Sequence, residues 1–297
     1  KKPRKNVKNQ SNFDYEDVIM GMETGGIDTH DGIQARDVRL KRLVEYVDIP
    51  GGSILDIGCG GGTITNFLAD TYPNTRVSGC DISKSAISIA KKHAHKRTSF
   101  GVIADGKFPY KDKFFDACIC FDVLEHVPDP DLFLSETKRV LKKGGLIYFA
   151  VPCEGQPWSL TWLLQKIQVG DKLTYKHVGH IHPEFTHTYI AHLFKKHGFH
   201  IESVTYSEHF FTQCVRFIRF IIPKELLELT LGTGRAEKYY DRSFVAPAAG
   251  AASGGMMAWV RTFWLKLGVV FDAIENTEAY LFKRRAFTAW KMLVLAR

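Results

Sequence analysis

The chain has 297 residues, 45% of them apolar and 24% charged, which is ordinary for a globular protein able to bury a sizeable core. Six cysteines without a C-x-x-C pair argue against a disulfide framework, the lack of any run of about 18 uncharged apolar residues argues against a membrane span, and the polar, lysine-rich start gives no expectation of a secretory leader. The net charge of +8 is uneven: residues 1–12 carry five Lys/Arg and no acid, residues 209–297 carry six more bases than acids, and the middle is left acidic.

In chain order, residues 1–12 read as a basic disordered arm. After a glycine-rich stretch, Gln34–Val47 shows helical spacing of Val38, Leu40, Leu43 and Val47, and Pro50-Gly51-Gly52 ends it. Short apolar runs then predict strands at Ser53–Ile57, Arg76–Cys80, Thr98–Ile103, Phe114–Phe121 and Gly145–Val151. Helical patterns separate them at Thr63–Thr71, Lys84–His95 (with Ser83 as N-cap) and Asp131–Leu141, the last leaving through a Gly-rich exit at Lys142–Gly145. Strands that are nearly all apolar, alternating with helices, predict an α/β doubly wound, Rossmann-like parallel sheet covered on both faces.

A further helix is predicted over Thr186–His197 and a sixth strand over His200–Tyr206. Pro157–Asp171 is an aromatic-rich helical piece, and Phe210–Ile222 is densely apolar with Arg216 and Arg219 on its polar face. Val245–Gly255 reads as a low-complexity linker, Met256–Arg285 mixes aromatic and basic residues, and Lys291–Ala296 reads as a closing strand.

The segment Ile54–Thr63 places a Gly-rich turn between a strand and a helix, where backbone comes close to a ligand and helix-start N–H groups are available. The dinucleotide fingerprint beginning at Gly58 and Gly60 requires glycine at position 63, where Thr63 stands. Asp56 adds negative charge that disfavours a pyrophosphate and suits a ligand with an ammonium group. Asp81 ends the second strand, where a carboxylate can bind ribose hydroxyls, and Asp105 and Asp122 follow the third and fourth strands. Open α/β sheets bind ligands at those carboxyl ends.

The order D-I-G-C-G-G-G, then Asp81, then A-D-G, then F-D-V-L-E-H-V-P-D-P resembles class I S-adenosylmethionine-dependent methyltransferases, in the style of the ubiquinone/menaquinone-biosynthesis and related small-molecule group. The resemblance spans about residues 50–206 and the last strand. It implies S-adenosyl-L-methionine as cofactor, with Asp56, Gly58 and Gly60 at its methionine side. Asp81 would bind its ribose, Asp105 would meet its adenine edge, and Ile82 and Gly106 would flank the adenine, with Phe121 and Asp122 lining the pocket. It also implies a seven-stranded, mostly parallel sheet whose last strand runs antiparallel, so that 13–208 is the methyltransferase core, 209–289 a helical cap inserted before the closing strand, and 290–297 that strand.

An oxygen acceptor must lose its proton during methyl transfer, which a neutral histidine or a carboxylate can accept. Glu125 and His126 follow the fourth strand and are the candidate catalytic pair; bracing of the loop before Pro128 is the competing role. His177, His180, His182, His187 and His192 match no zinc spacing, so no metal site is expected. The aromatic and basic cap suits a hydrophobic or lipid-linked small-molecule acceptor and an anionic membrane surface, giving a cytoplasmic protein peripheral to the membrane; packing on the core or in a homodimer would use the same residues. A nucleic-acid partner is not favoured, because no RNA-binding motif is present. An RNA methyltransferase, a lipid C-methyltransferase and a non-enzymatic cofactor-binding membrane-anchoring subunit are the alternatives carried forward.

Overall fold

Alternating burial is what turns these runs into a sheet. In the computed structural model, whose described residues are 38–47, 49, 51–167, 179–217, 270–271 and 273–297, neighbouring residues of each central strand enter opposite cores. Leu55, Ile57, Cys118, Cys120, Ile147 and Phe149 join one, while Ile54, Ala117, Ile119, Phe121, Leu146 and Tyr148 join the other. The first core is closed by Phe133, Leu134, Ile190 and Phe194, and the second by Leu40, Leu43, Phe67 and Leu68.

The elements run α1 (Val38–Tyr46), β1 (Ser53–Ile57), α2 (Thr63–Thr71), β2 (Arg76–Asp81), α3 (Lys84–Lys92), β3 (Thr98–Val102), β4 (Phe115–Phe121), a 3-10 turn (Leu124–His126), α4 (Pro130–Val140) and β5 (Leu141–Pro152). They continue with α5 (Leu160–Lys166), α6 (His187–Lys196), β6 (Ile201–Ser207), α7 (Phe210–Arg216) and β7 (Lys291–Ala296). The seven strands form one sheet in the order β3-β2-β1-β4-β5-β7-β6. Strands β1 to β5 pair in parallel, and β7 runs antiparallel between β5 and β6. The doubly wound sheet with an antiparallel last strand is therefore present. Its order reverses between β2-β1 and β4-β5, which opens a crevice at the strands' carboxyl ends.

Local chemistry sets several boundaries. Ser83 caps α3 by accepting from Ala86 N at 3.1 Å, and Thr186 caps α6 by accepting from Tyr189 N at 3.2 Å. Helix α3 stops at Lys92, three residues earlier than the apolar pattern suggested. Strand β5 starts earlier than predicted: the pairing register shifts between Phe115 and Ala117, and the exposed Lys142–Gly144 are taken up there, so the Gly-rich run bends a strand. No helix among the described residues is long and apolar enough to cross a membrane. The predicted arm 1–12, the linker Val245–Gly255, the side chains of Arg216 and Arg219, and most of the segment 209–289 lie outside the described residues.

Candidate active site

The Gly-rich turn is held shut from two sides. Gly58 N and Cys59 N both donate to Cys80 O, at 2.7 and 3.1 Å, which draws the end of β1 onto β2. Gly58 has φ +77, and a Cβ there would stand 2.2 Å from Val123 Cγ2, so both its backbone conformation and its space require glycine. Gly60 N donates to Asp81 Oδ2 at 2.9 Å, and Ser83 N donates to Asp81 Oδ1 at 2.9 Å. Asp81 is thus fixed beside the turn, with its remaining lone pairs available to a bound ligand.

Asp56 is buried and accepts a hydrogen bond from Thr65 Oγ1 at 2.7 Å. Burial raises its pKa to about 7, partly offset by the Thr65 bond and reinforced by the charge of Asp81. The full negative charge expected of this residue is therefore only partly present at neutral pH without a cation beside it.

At the next strand ends, Ile82 is 60% exposed, unusual for a large apolar side chain directly after a buried strand. Asp105 and Gly106 both have positive φ in the tight turn that bridges Ala104 to Lys107. Leu132, also exposed, lies so close that a Cβ on Gly106 would meet its Cδ2 at 2.8 Å. Phe121 packs edge to face on Tyr148 and lies beneath Arg39. Asp122, at φ +56, pairs with Arg39 and with Lys291 Nζ at 2.9 Å. Its carboxylate is thereby tied to α1 and to the first residue of β7.

Glu125 and His126 form the turn after β4, and the structure adds residues that their local sequence does not announce. His180 and Glu154 come in from separate loops. Ile181 N donates to Glu125 O at 3.0 Å, and His182 Nε2 lies 2.8 Å from Val127 O, which docks residues 180–182 on the turn. Glu125 is fully buried and neither of its carboxylate oxygens has a hydrogen-bond partner. His126 Nε2 stands 3.8 Å and His180 Nε2 3.7 Å from Glu125 Oε1, with the two imidazoles 4.8 Å apart. His126 Nδ1 is 3.0 Å from Gly179 O, and His180 Nδ1 is 2.5 Å from Glu154 Oε1. Burial, then the neighbouring His180, lower the pKa of His126 to about 4, so it is neutral at physiological pH. Burial and the charge of Asp122 push the Glu125 carboxyl well above its ordinary range.

Spacing along the chain gave no expectation of a metal site, yet one atom each from Glu125, His126 and His180 lie within 4.8 Å of one another, an arrangement that can hold a metal ion. His182 instead pairs with Glu184, and His187 is buried beside Tyr206; His177 lies outside the described residues. Arg39, Leu132, Glu154, His180 and Lys291 are the site residues that sequence reasoning missed. Only the exposed Leu132 carried a local signal, as an apolar residue beside the acidic start of α4.

Comparison with known proteins agrees with this architecture. Residues 55–149 match the family described as "Methyltransferase domain". Ubiquinone biosynthesis O-methyltransferases of Coxiella burnetii and Paraburkholderia phymatum are 35% and 32% identical over 117 residues, which is 38% of this chain and 49% and 50% of theirs. The chain thus spans about half the length of the curated relatives it matches. Among solved structures, a putative sarcosine dimethylglycine methyltransferase from Galdieria sulphuraria matches with TM-score 0.51 at 14% identity, covering 90% of this chain and 86% of that one. The [4+2]-cyclase SpnF matches with TM-score 0.52 at 19% identity, covering 87% and 79%. At such identities these two speak for the fold alone. Residues 55–149 thus match the methyltransferase-domain family, and the sheet order around them is in keeping with that match.

Proposed function

We propose that this protein binds S-adenosyl-L-methionine at the carboxyl ends of β1 to β4 and transfers its methyl group to an oxygen of a hydrophobic small-molecule acceptor. The observation that carries the reading is the turn Gly58–Gly62 held against Asp81, with Asp56 buried behind it. Here backbone and carboxylates converge on a space that suits a cationic amino-acid ligand and a ribose. Asp56, Gly58 and Gly60 serve the methionine end, Asp81 the ribose, and Ile82, Asp105 and Gly106 the adenine. Phe121 and Asp122 complete the wall, and Glu125 and His126 hold the acceptor oxygen.

Methyl transfer is an in-line displacement. The acceptor oxygen would pass its proton to His126, and as its electron pair forms the bond to the methyl carbon the carbon–sulfur bond would break with its pair going to sulfur, leaving S-adenosylhomocysteine. Positioning and exclusion of water supply most of the rate. Support for a hydrophobic acceptor comes from the ubiquinone-pathway names of the relatives and from the exposed Phe211, Tyr280, Leu281 and Phe287 near the chain's last elements. An anionic membrane surface is the partner proposed for that region. A second reading, in which the domain binds the cofactor without transferring methyl, rests on the same turn and carboxylates.

Titration calorimetry with S-adenosyl-L-methionine, paired with a radiolabelled methyl-transfer assay on prenylated catechols, tests the proposal. Binding with transfer supports it, binding without transfer selects the second reading, and no binding removes both. Co-sedimentation with vesicles containing anionic lipid tests the membrane partner, and protein left in the supernatant would remove it.

A further inference from the structure

We propose that His187 and His209 form a second polar subsite of the acceptor cleft, one that binds a hydroxyl group remote from the oxygen that is methylated. Its role in acceptor binding rests on the methyltransferase reading; the subsite itself stands on two buried imidazoles whose hydrogen-bonding capacity is unmet. His187, the first residue of α6, is 6% exposed and packs on Tyr206 with ring centroids 4.7 Å apart, yet neither of its ring nitrogens has a hydrogen-bond partner. The neighbouring His209, 2% exposed, lies between β6 and α7. His209 Nδ1 stands 3.2 Å from Phe287 O, and its Nε2 has no partner. Buried polar groups are nearly always satisfied, so two neighbouring rings with unmet nitrogens call for a partner of their own.

The chemistry of the pair selects that partner. Burial lowers the pKa of His187 to about 4 and that of His209 below its ordinary value. Both rings are thus neutral at physiological pH, each with one donor and one acceptor nitrogen. The Ala289 backbone offsets part of the His187 shift without coming into hydrogen-bond geometry. Because a carbonyl oxygen only accepts, the contact to Phe287 O puts the His209 proton on Nδ1 and leaves Nε2 as an acceptor. His187 brings the N–H. A hydroxyl satisfies both rings at once, donating to His209 Nε2 and accepting from His187, whereas an ether or carbonyl oxygen satisfies only His187. The charged neighbours are committed elsewhere: Arg42 to Thr205, Tyr206 and Ala279, Lys291 to Asp122 and Glu208, and Glu278 to Phe211 N and to Thr212. A neutral group therefore fits better than an ion.

Placement makes the subsite part of the same cleft. In the sheet order β4-β5-β7-β6, Glu125 and His126 follow β4 and His209 follows β6, three strand spacings of about 4.8 Å and so about 14 Å away. Trp290, immediately before β7, stands between the two. It stacks on His180, whose ring packs on His126, and its N donates to Glu208 O at 3.0 Å. The outer wall is apolar, with the Phe282 ring 5.6 Å from His209 and Phe211, Phe282 and Phe287 all exposed. An elongated, mostly apolar acceptor matches this run of groups. Its reacting oxygen lies at His126, its body along Trp290 and the phenylalanines, and its far hydroxyl at His187 and His209.

The test uses the full chain and catechols carrying an alkyl tail of graded length that ends in a hydroxyl or in a methyl group. Titration calorimetry reads their affinity, and a radiolabel reads methyl transfer. At one tail length the hydroxyl should tighten binding about 10- to 100-fold and lower KM by a like factor, with kcat little changed. His187→Leu and His209→Leu should each bring that ratio close to one, while His187→Gln, whose amide still donates, should keep part of it. His197→Ala, on the surface beside Asp131, should keep all of it. The ratio compares two ligands on one protein, so a variant that is merely less stable leaves it intact, and the wild-type ratio alone decides if both leucine variants unfold. No hydroxyl preference at any tail length, or a preference that survives both leucine substitutions, overturns the subsite and leaves the two rings to buried water. Hydroxyl-dependent binding without methyl transfer keeps the subsite and sinks the methyl-transfer reading; methyl transfer without the preference does the reverse.

Discussion

Asp56 shows how one buried carboxylate can link folding to ligand binding. Its pKa lies at about 7 in the folded chain against 3.8 ordinarily, mainly through burial. A raised carboxylate pKa means the folded state keeps a proton that the unfolded state has lost. Its contribution to stability is therefore whole below about pH 4 and lost as pH rises through about 7, on the order of 4 kcal/mol in all. Asp56→Asn should therefore raise the apo melting temperature at pH 8 and flatten its dependence on pH between 4 and 8. In the binding mode proposed above, the cofactor's ammonium group favours ionised Asp56, so cofactor affinity should rise between pH 5.5 and 7 in the wild type. It should fall about tenfold in the variant at pH 7.5 and lose that rise. Calorimetry and thermal melts on the same samples check both halves. A variant that is less stable at pH 8 with unchanged affinity would leave Asp56 only its bond to Thr65.

At the scale of elements, one buried cation, Arg42, ties α1 to β6 and to the helical residues 273–281. Arg42 donates to Thr205 Oγ1 at 3.1 Å and Tyr206 O at 2.9 Å on β6, and to Ala279 O at 2.7 Å on the helical residues 273–281. Arg42→Met keeps the apolar stem but deprives two carbonyls of a charged donor, at a cost of about 3 kcal/mol. Urea unfolding should show an earlier midpoint with unchanged slope, and hydrogen exchange should speed up first at residues 273–281. Uniform exchange across the chain would refute that local role. The same elements show what sequence could convey. Strands β1 to β4, and the closing β7, were legible as short runs rich in strand-forming residues, and β1, β2 and β4 end at an acid or a glycine, where the candidate cofactor motifs sit. The metal-capable cluster was not. His180 stands 26 residues from Glu154, its hydrogen-bond partner, and the cluster forms where the loop docks through Gly179, Ile181 and His182 on residues 125–127. Spacing among His177, His180 and His182 therefore carried no information about it. The start of β5 was hidden for a related reason, since only the strand pairing reveals that a Gly-rich run lies within it.

Across the whole molecule, Lys291 joins the last strand to the site. Only 3% exposed, it reaches Asp122 Oδ1 and Glu208 Oε1, both at 2.9 Å, and so clasps the end of β4 and the end of β6 from the first residue of β7. Asp122 also holds Arg39 of α1, so four elements meet around these charges. Lys291→Met would remove the ammonium between the buried Glu208 and the half-buried Asp122, leaving Asp122 its Arg39 partner and Glu208 without this cation, at a cost of about 3 kcal/mol. Removal of the ammonium disfavours the charged form of both carboxylates relative to the wild type, so the variant should lose more stability at pH 8 than at pH 5. Adding Glu208→Gln to Lys291→Met should recover part of the loss at pH 8 and little at pH 5. Chemical-denaturation curves of the single and double variants at both values measure it. Equal losses at pH 5 and pH 8, untouched by the second substitution, would show that Lys291 acts through packing and not through charge.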